Sequence, residues 1–375
     1  MEGIKLKKNF LMIQFVVVIM TILFLNGCLK GEQDLKQSVS NELTPTNESV
    51  ENIEDEDTNN ASNEEGTANN NDDQNSNEVI MKEMIERTLY LVDADGMVVP
   101  QTLSIPKDES KEVAKQVLTY LIKDGPVTDY LPSGFQAVIP ANTEINGVNI
   151  KDDGTLIIDL SEDFTNYKAE DELKIIEAMT YSLTQFESVN KIKLRIDGED
   201  LTEMPVNGTP ISTGYSKENG INVTIDEQPN LLYSKPVTIF YPKSKFNQQY
   251  FVPMTQYVTR RDDDVYGLIV QALLDGPSTY FQTQQVFNDD TMLVRKPMYQ
   301  KGVLELEFNE NILSDVEKSV ISEDVMETLA RTFTGQEHIN AINVKVENRS
   351  IIHNEKGQTY DEPVTMNEFS KTSET

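Results

Sequence analysis

The chain contains an internal duplication, and this feature constrains its fold more than any other. Three segments occur twice in the same order: VLTYLIKDGP (117–126) with LIVQALLDGP (268–277), GTLIIDL (154–160) with GVLELEF (302–308), and NKIKLRIDG (190–198) with NAINVKVEN (340–348). The members of these pairs lie 151, 148 and 150 residues apart. Three landmarks at one nearly constant offset predict two copies of one domain. We place repeat 1 at residues 87–205 and repeat 2 at residues 235–365.

Repeat 1 shows a regular succession of strand and helix patterns. A short β-rich run, Thr88–Val92, ends at the turn sequence DADG, which lacks the third acidic position and the closing Glu of a calcium-binding loop. The later elements follow from apolar spacing and turn residues: a helix from Val113 that stops at Gly125-Pro126, a hairpin of 145–150 and 155–160, a second amphipathic helix over Leu173–Phe186, and a strand at Lys191–Ile196. The predicted order is β-α-β-β-α-β.

Repeat 2 follows the same order. Its elements are predicted at 237–241, 265–274, 303–308, 325–333 and 341–346, and the sequence RKPMYQ before Gly302 replaces a clear strand. Helices with one apolar stripe and alternating strands predict an α+β fold, with a small sheet and two helices on one of its faces in each repeat. The opposite face of each sheet is expected to be open to solvent or to a partner.

The segment between the repeats, residues 206–234, contains PVNGTPISTG and the alternating run INVTI (221–225). A stretch of this length without structure is unusual inside a compact module. We therefore expect a strand or hairpin packed between the two repeats. Residues 366–375 form a predicted C-terminal tail.

The single cysteine, Cys28, follows a basic start and an apolar run at 10–25. This layout predicts a secretory signal peptide over residues 1–27. The tetrapeptide Leu25-Asn26-Gly27-Cys28 resembles a lipobox, which implies a diacylglyceryl group on Cys28 and an anchor on the outer face of the cell membrane. An uncleaved anchor and an ordinary signal peptide are the alternatives, but the apolar run is shorter than the ~20 residues that span a bilayer.

Residues 28–86 form a predicted acidic tether. Between positions 29 and 86 the chain has 16 Asp or Glu, 11 Asn and 3 Lys. Such a composition predicts a disordered, extended segment, and a calcium-binding reading lacks fixed ligand geometry. The whole chain carries a net charge of −31, and the sequence shows no local basic patch. Nucleic acid and anionic headgroups are therefore excluded as expected partners.

The residues available for catalysis are few. His338 and His353 both lie in repeat 2 and have no counterparts in repeat 1, so a function shared by the repeats does not depend on them. The sequence contains no nucleophile elbow, zinc-protease motif, phosphate loop or dinucleotide-binding turn. We predict no catalytic residue, no cofactor and no metal site.

One cluster of acidic residues lies at the end of a predicted strand in repeat 1. Asp159, Glu162 and Asp163 in DLSEDF resemble a glycosidase acid and base, and repeat 2 keeps Glu310 in the corresponding FNENI. Carboxylates directly after a strand more often serve turns or helix starts. The cluster is therefore the basis of an alternative reading, in which the protein binds or hydrolyses peptidoglycan.

Several motifs together resemble the GerMN domain of the GerM lipoprotein family. They are Gly125-Pro126, Ile139-Pro140, the turn into Leu156–Leu160 and SLTQF (182–186) in repeat 1, and LLDGP with the final strand in repeat 2. Repeat 2 has TFTG (332–335) in place of LTQF and lacks a clear Ile-Pro motif. The resemblance implies a fold similar to the ring-building motif of secretion systems. It also implies a sporulation or germination protein on the mother-cell membrane, within the complex that joins mother cell and forespore.

The combined reading is a non-enzymatic, membrane-anchored lipoprotein. The lipid on Cys28 holds the chain, the acidic segment gives it reach, and the two repeats scaffold or localise envelope proteins in sporulation and germination. Peptidoglycan binding or hydrolysis is the alternative function.

Overall fold

A computed structural model describes residues 83–107, 112–223, 234–259, 264–277 and 281–369. The predicted signal peptide, Cys28 and almost all of the predicted tether lie outside these residues, as does most of the C-terminal tail. Within the described ranges, no helix has the length and apolar character needed to cross a membrane.

Repeat 1 begins with a long hairpin and continues into a mixed sheet. Its elements are β1 (Met84–Val92), β2 (Val98–Pro106), α1 (Val113–Thr119), β3 (Ile145–Ile150), β4 (Thr155–Leu160), α2 (Glu172–Leu183), β5 (Lys191–Ile196) and β6 (Glu199–Asp200). β1 pairs with β2, and a separate sheet has the order β3-β4-β5-β6, in which β4 and β5 are parallel. Side chains that alternate along β4 and β5 point inward, and Ile158, Leu160 and Leu194 are buried there.

Repeat 2 has the same architecture with a shorter edge strand. Its elements are β7 (Ser234–Lys245), β8 (Gln248–Thr259), α3 (Val265–Asp275), β9 (Met298–Gln300), β10 (Val303–Phe308), α4 (Glu323–Thr334) and β11 (Ala341–Val346). β7 pairs with β8, and the second sheet has the order β11-β10-β9. The hydroxyl of Ser322 caps α4 by accepting a hydrogen bond from the Val325 amide at 3.3 Å, which satisfies a donor that the first helical turn leaves open.

Equivalent hydrogen bonds recur in the two repeats. The amide of Tyr90 donates to the Ser182 hydroxyl at 2.8 Å, and 150 positions later the amide of Phe240 donates to the Thr332 hydroxyl at 3.1 Å. In each case the second helix of a repeat is attached to the first strand of the same repeat. The duplication seen in the sequence therefore extends to the contacts between helix and strand in each repeat. The predicted α+β class is confirmed.

The structure adds one strand to the start of each repeat. β2 and β8 were not predicted, because each contains proline and lacks strict alternation: Pro100 and Pro106 lie in β2, and Pro253 lies in β8. Proline removes a hydrogen-bond donor from a strand and weakens its sequence signature. Leu173, predicted on the apolar stripe of the second helix, is instead 47% exposed.

The segment between the repeats packs differently from the prediction. Ile221 and Asn222 are buried, but Asn222 has a φ of 49° and interrupts the expected strand at its second residue. A short 3₁₀ turn at Lys217–Asn219 precedes it, and Thr224 and Ile225 lie outside the described residues. The described part of this segment, residues 206–223, is an irregular connector, and its Asn222 lies between the two hairpins.

Candidate functional site

The predicted carboxylates serve local structure. Asp159 on β4 accepts a hydrogen bond from the Gly198 amide at 3.0 Å, which fixes the turn between β5 and β6. Asp163 accepts from the side-chain amide of Asn166 at 3.2 Å, and Glu162 is exposed at the start of the 3₁₀ turn after β4. These contacts match the turn and helix-start roles expected for such residues.

The remaining predicted residues are also accounted for by local contacts. Glu310 forms an ion pair with Arg349 at 3.0 Å. His338 is exposed, with a φ of 69°, and the backbone of His353 bonds to Ser319 and Ile321. Across the described ranges, no group of three His, Cys, Asp or Glu side chains could hold a metal ion. Cys28 lies outside these ranges.

The main concentration of buried charge lies at the junction of the repeats. Asp93, in the turn after β1, is 4% exposed, and Lys243 at the end of β7 is 3% exposed. Their side chains meet at 3.0 Å, and the Tyr250 hydroxyl donates to the same Asp93 oxygen at 2.9 Å. The other Asp93 oxygen accepts the amides of Asp95 and Met97, both at 2.9 Å. A buried ion pair is stable only when its remaining hydrogen-bonding positions are filled, as they are here.

Two further ion pairs extend this junction toward solvent. The Lys243 ammonium also lies 2.7 Å from Asp95, which pairs with Lys245 at 2.5 Å. Hydrogen bonds from Lys243 and Lys245 lower the pKa of Asp95. Burial, followed by the hydrogen bond to Asp93, raises the pKa of Tyr250. At neutral pH the first shift favours the ionised form of Asp95, and the second favours the neutral phenol of Tyr250.

Two of the three ion pairs join equivalent positions of the repeats. Asp93 and Lys243 are separated by 150 positions, as are Asp95 and Lys245. Equivalent positions meet near the axis of an isologous, two-fold interface. In this chain such an interface is internal, and the charges are acidic in repeat 1 and basic in repeat 2. A pairing between two copies of repeat 1 would bring like charges together, so the inversion favours the pairing of repeat 1 with repeat 2.

Asn222 joins the two hairpins at a second point. Its side-chain amide donates to the carbonyls of Val98 and Pro253, each at 2.7 Å, and its side-chain oxygen accepts the Val98 amide at 2.9 Å. Its own amide donates to Glu177 on α2 at 3.1 Å. One buried residue therefore ties β2, β8 and α2 together.

The tip of the β7–β8 hairpin closes the junction. Phe246 lies over Gly134 of repeat 1, where a Cβ atom would come within 2.5 Å of the phenyl ring. The neighbouring Phe135 packs edge-on against Tyr250, with ring centroids 5.1 Å apart. Gly134 has a φ of 86°, so glycine is favoured there for both conformation and space. Ion pairs, the Asn222 bonds and aromatic contacts thus fix repeat 1 against repeat 2.

The sheet surfaces that face away from the helices differ between the repeats. We call each the helix-free face. In repeat 2, Met292, Val294 and Met298 are 40% to 54% exposed along the edge next to β10. Arg295 lies beside them and pairs with Glu305 and Glu307 at 2.5 Å. This face is apolar along its edge and ion-paired at its centre, which is a surface type suited to protein contact.

The junction could not be assigned from single motifs, but a signal was present. Superimposing the repeats at an offset of 150 places Asp93 on Lys243 and Asp95 on Lys245. Opposite charges at equivalent positions of a duplicated domain indicate a contact between them. Asn222 carries no comparable signal, since its role depends on backbone conformation and on three distant partners.

The fold and the junction together define a class: duplicated α+β modules that are joined rigidly in tandem. The sequence model of the Germane family, whose description is "Sporulation and spore germination", matches residues 88–202 and 238–351, one range in each repeat. The spore germination protein GerM of Bacillus subtilis (strain 168) is 42% identical over 283 residues, which cover 75% of this chain and 76% of GerM.

A solved structure supports the same assignment. The tandem GerMN domains of the sporulation protein GerM from Bacillus subtilis align with a TM-score of 0.70 at 42% identity, and the match covers 75% of this chain and 97% of that structure. The chain therefore belongs to the Germane family of sporulation and spore germination proteins.

Proposed function

We propose that the protein is a non-enzymatic lipoprotein that scaffolds or localises an envelope complex during sporulation and germination. Lipid on Cys28 holds it at the outer face of the cell membrane, and the acidic segment sets its distance from the bilayer. Membership of the Germane family supports the cellular process. The observation that carries the scaffold role is the buried junction centred on Asp93 and Lys243.

A fixed junction gives a scaffold its geometry. Two domains on a flexible linker present their surfaces in many relative orientations, whereas a junction with buried ion pairs and filled hydrogen bonds presents them in one. The helix-free faces of the repeats then have a defined relation, and partners bound to them are held at a fixed spacing. Envelope proteins of the sporulating cell are the proposed partners.

Peptidoglycan binding or hydrolysis receives less support. Asp159 and Asp163 hold turns through hydrogen bonds, and both repeats use the corresponding region structurally. A glycoside hydrolase needs two carboxyl groups that face each other across the scissile bond. The contacts of these residues instead account for their presence without chemistry.

Capture from sporulating cells tests the proposal. The full-length chain is expressed in sporulating Bacillus subtilis, recovered in detergent, and analysed by mass spectrometry, with purified cell wall incubated in parallel. We expect envelope membrane proteins to be retained by the wild-type chain and lost with Lys243→Met, which opens the junction. Retention of cell-wall glycan alone, or release of soluble glycan fragments, would contradict the scaffold and favour the wall-binding alternative.

A further inference from the structure

Three lysines come together on the helix-free face of repeat 1. Lys193 on β5 lies beside Ile157 on β4, and Lys191 lies beside Thr155. The amide of Lys151 donates to the Thr155 carbonyl at 2.9 Å, which places Lys151 at the other end of the same row. Directly paired residues share a face of a sheet, so the three ammonium groups rise from one corner of it. We call these three residues the lysine corner.

The lysine corner covers an apolar side chain. Ile157 points to the helix-free face, since its neighbours Leu156 and Ile158 are buried on the helix side, yet it is only 8% exposed. Lysine stems pack along apolar surface while their charged ends stay in water. Lys193 pairs directly with Ile157, so its stem covers that side chain, whereas the stem of Lys191 packs against Gly214.

The charges of the lysine corner are not neutralised by ion pairs within the described part of the chain. Two carboxylates are near, but both have other partners. Hydrogen bonding to Thr155, with smaller effects of Lys191 and Lys151, lowers the pKa of Asp153. Asp200 is bonded to Arg195. The corner is thus a cationic surface on a chain whose net charge is −31.

This finding corrects the expectation that the protein has no basic patch. The sequence could not show it, because Lys151 is 40 positions from Lys191 and only the sheet brings them together. Repeat 2 has no equivalent: Asn343 stands at the position of Lys193, and Glu305 stands at the position of Ile157. The lysine corner is therefore specific to repeat 1.

The chain contains a segment of complementary charge. Residues 48–78 include eleven Asp or Glu and no Lys or Arg, and they end five positions before Glu83, where the described structure begins. Thirty extended residues span at most about 100 Å, which is longer than a domain of this size is wide. Attachment in the same chain gives the segment an effective concentration on the order of millimolar at any surface that it reaches.

A free polyanion is a weaker candidate for the same surface. A strongly acidic protein repels a polyanionic wall polymer at long range, and the lysine corner would have to overcome that repulsion in every encounter. The acidic segment is already attached and loses little translational freedom on binding. The free-energy cost of binding is therefore lower for the attached segment than for a free polyanion, and the attached segment is favoured.

The geometry points to an intramolecular contact in which the acidic segment, residues 48–78, binds the lysine corner of repeat 1. The segment is then more than a spacer. It covers one helix-free face, and a partner that docks on repeat 1 has to displace it. The contact is electrostatic and exposed, so it weakens as salt rises.

Zero-length cross-linking of the full-length protein in detergent micelles tests this contact. A carbodiimide joins a carboxylate to an amine only when the two touch, and mass spectrometry identifies the joined residues. We expect cross-links from Lys151, Lys191 and Lys193 to acids within 48–78. Their yield should fall several-fold between 0.1 M and 1 M salt, where the screening length shortens from about 10 Å to about 3 Å.

The control uses exposed lysines elsewhere. Lys151→Gln/Lys191→Gln/Lys193→Gln removes the corner, and Lys235→Gln/Lys301→Gln/Lys318→Gln removes the same charge from repeat 2. In the first variant the segment should lose its cross-links to repeat 1 and react several-fold faster with an added soluble amine, whereas the second should match the wild type. Circular dichroism checks that both variants remain folded.

Four results would overturn the contact. The first is that the lysine corner forms cross-links only to Asp153 or Asp200. The second is that the segment forms cross-links equally to Lys235, Lys301 and Lys318, and the third is that cross-links join differently isotope-labelled molecules. The fourth is that the three lysines of the corner are protected from acetylation only when purified anionic wall polymer is added. The last would assign the surface to the polymer. None of these results bears on the scaffold role, which depends on the capture experiment.

Discussion

At the residue scale, the junction between the repeats depends on a few buried polar side chains. Asp93 and Lys243 lose almost all contact with water, and their charges are compensated by each other, by Tyr250 and by two turn amides. Removing one member of such a set leaves the other buried and uncompensated. A buried pair of this kind responds much more strongly to single substitutions than a surface pair does.

The first prediction concerns this pair. Lys243→Met keeps the length of the side chain but leaves the Asp93 charge without its cation, and we expect the free energy of unfolding to fall by about 3–5 kcal/mol. Lys318→Met removes one member of an exposed pair with Asp315, at 3.0 Å, and should cost less than about 1 kcal/mol. Urea denaturation measures both. Equal, small losses would mean that the junction is not held by the ion pair.

Glu177 is the second sensitive residue. It is 6% exposed on α2, and the Asn222 amide donates to it at 3.1 Å. Burial raises the pKa of Glu177 from 4.5 to about 7, although this hydrogen bond opposes the shift. Burial, with the charge of Glu177 adding to the effect, also raises the pKa values of the neighbouring Tyr215 and Tyr181. The connector between the repeats therefore rests on a group that titrates near neutral pH.

The sign of the pH dependence follows from that shift. The folded state binds the Glu177 proton more tightly than the unfolded state, so this group favours folding below pH 4.5, and its contribution is lost as pH rises to about 7. The loss is of the order of 3 kcal/mol. Glu177→Gln should remove it and stabilise the protein at pH 8 relative to the wild type. If the two proteins show the same dependence on pH between 5 and 8 in thermal melts, Glu177 does not titrate as inferred.

At the element scale, the hairpins and helices with strong local signals were predictable. The β3–β4 hairpin lies at the predicted residues, because its strands alternate and its turn contains Asp152-Asp153-Gly154. β2 and β8 were missed, since proline interrupts their patterns. β9 is short because Pro297 and Lys296 precede it, and such residues limit pairing at a sheet edge. These strands have weak local β-propensity, and packing against the rest of the fold stabilises them.

Two turn glycines with a left-handed backbone provide the third prediction. Gly154 has a φ of 75°, and a Cβ atom there would lie 2.3 Å from the side-chain nitrogen of Asn190. Gly154→Ala should cost about 2–3 kcal/mol, from the left-handed backbone and from displacement of Asn190. Gly357 has a φ of 79° with nothing within 4 Å, so Gly357→Ala should show only the backbone part, about 1–2 kcal/mol.

A third glycine completes this series. A Cβ atom on Gly147 in β3 would meet nothing within 4 Å, and its φ is not in the left-handed region, so Gly147→Ala should change stability by less than about 1 kcal/mol. The expected order of destabilisation in urea is Gly154, then Gly357, then Gly147. Equal losses at Gly154 and Gly357 would show that contact with Asn190 has no energetic effect.

At the scale of the whole molecule, the two repeats behave as one unit. The duplication could be predicted from three landmarks in the sequence, and the α+β class followed from it. The way in which the repeats join could not be predicted, because the connector is irregular and the contacts of Asn222 involve distant residues. The lysine corner of repeat 1 was missed for a similar reason, since only the sheet brings its residues together. The inverted charges at positions 93 and 243 were visible, but only the structure shows that these positions meet.

The fourth prediction concerns cooperativity. Because ion pairs, Asn222 and aromatic contacts all cross the junction, the repeats should unfold in a single transition, with equal calorimetric and van't Hoff enthalpies. Lys243→Met should separate this into two transitions, whereas Lys318→Met should not. Differential scanning calorimetry makes the comparison. Two transitions in the wild-type protein would contradict a rigid tandem.

The central proposal is that the protein acts as an anchored scaffold and not as an enzyme. Counting heat-resistant, germination-competent spores in Bacillus subtilis cells that lack GerM and carry this chain tests it most directly. We predict that the wild-type chain and the variant Asp159→Asn/Glu162→Gln/Asp163→Asn raise the count equally, and that Cys28→Ser, which cannot be lipidated, does not. Loss of the effect in the carboxylate variant, with full activity of Cys28→Ser and unchanged protein levels, would contradict the account.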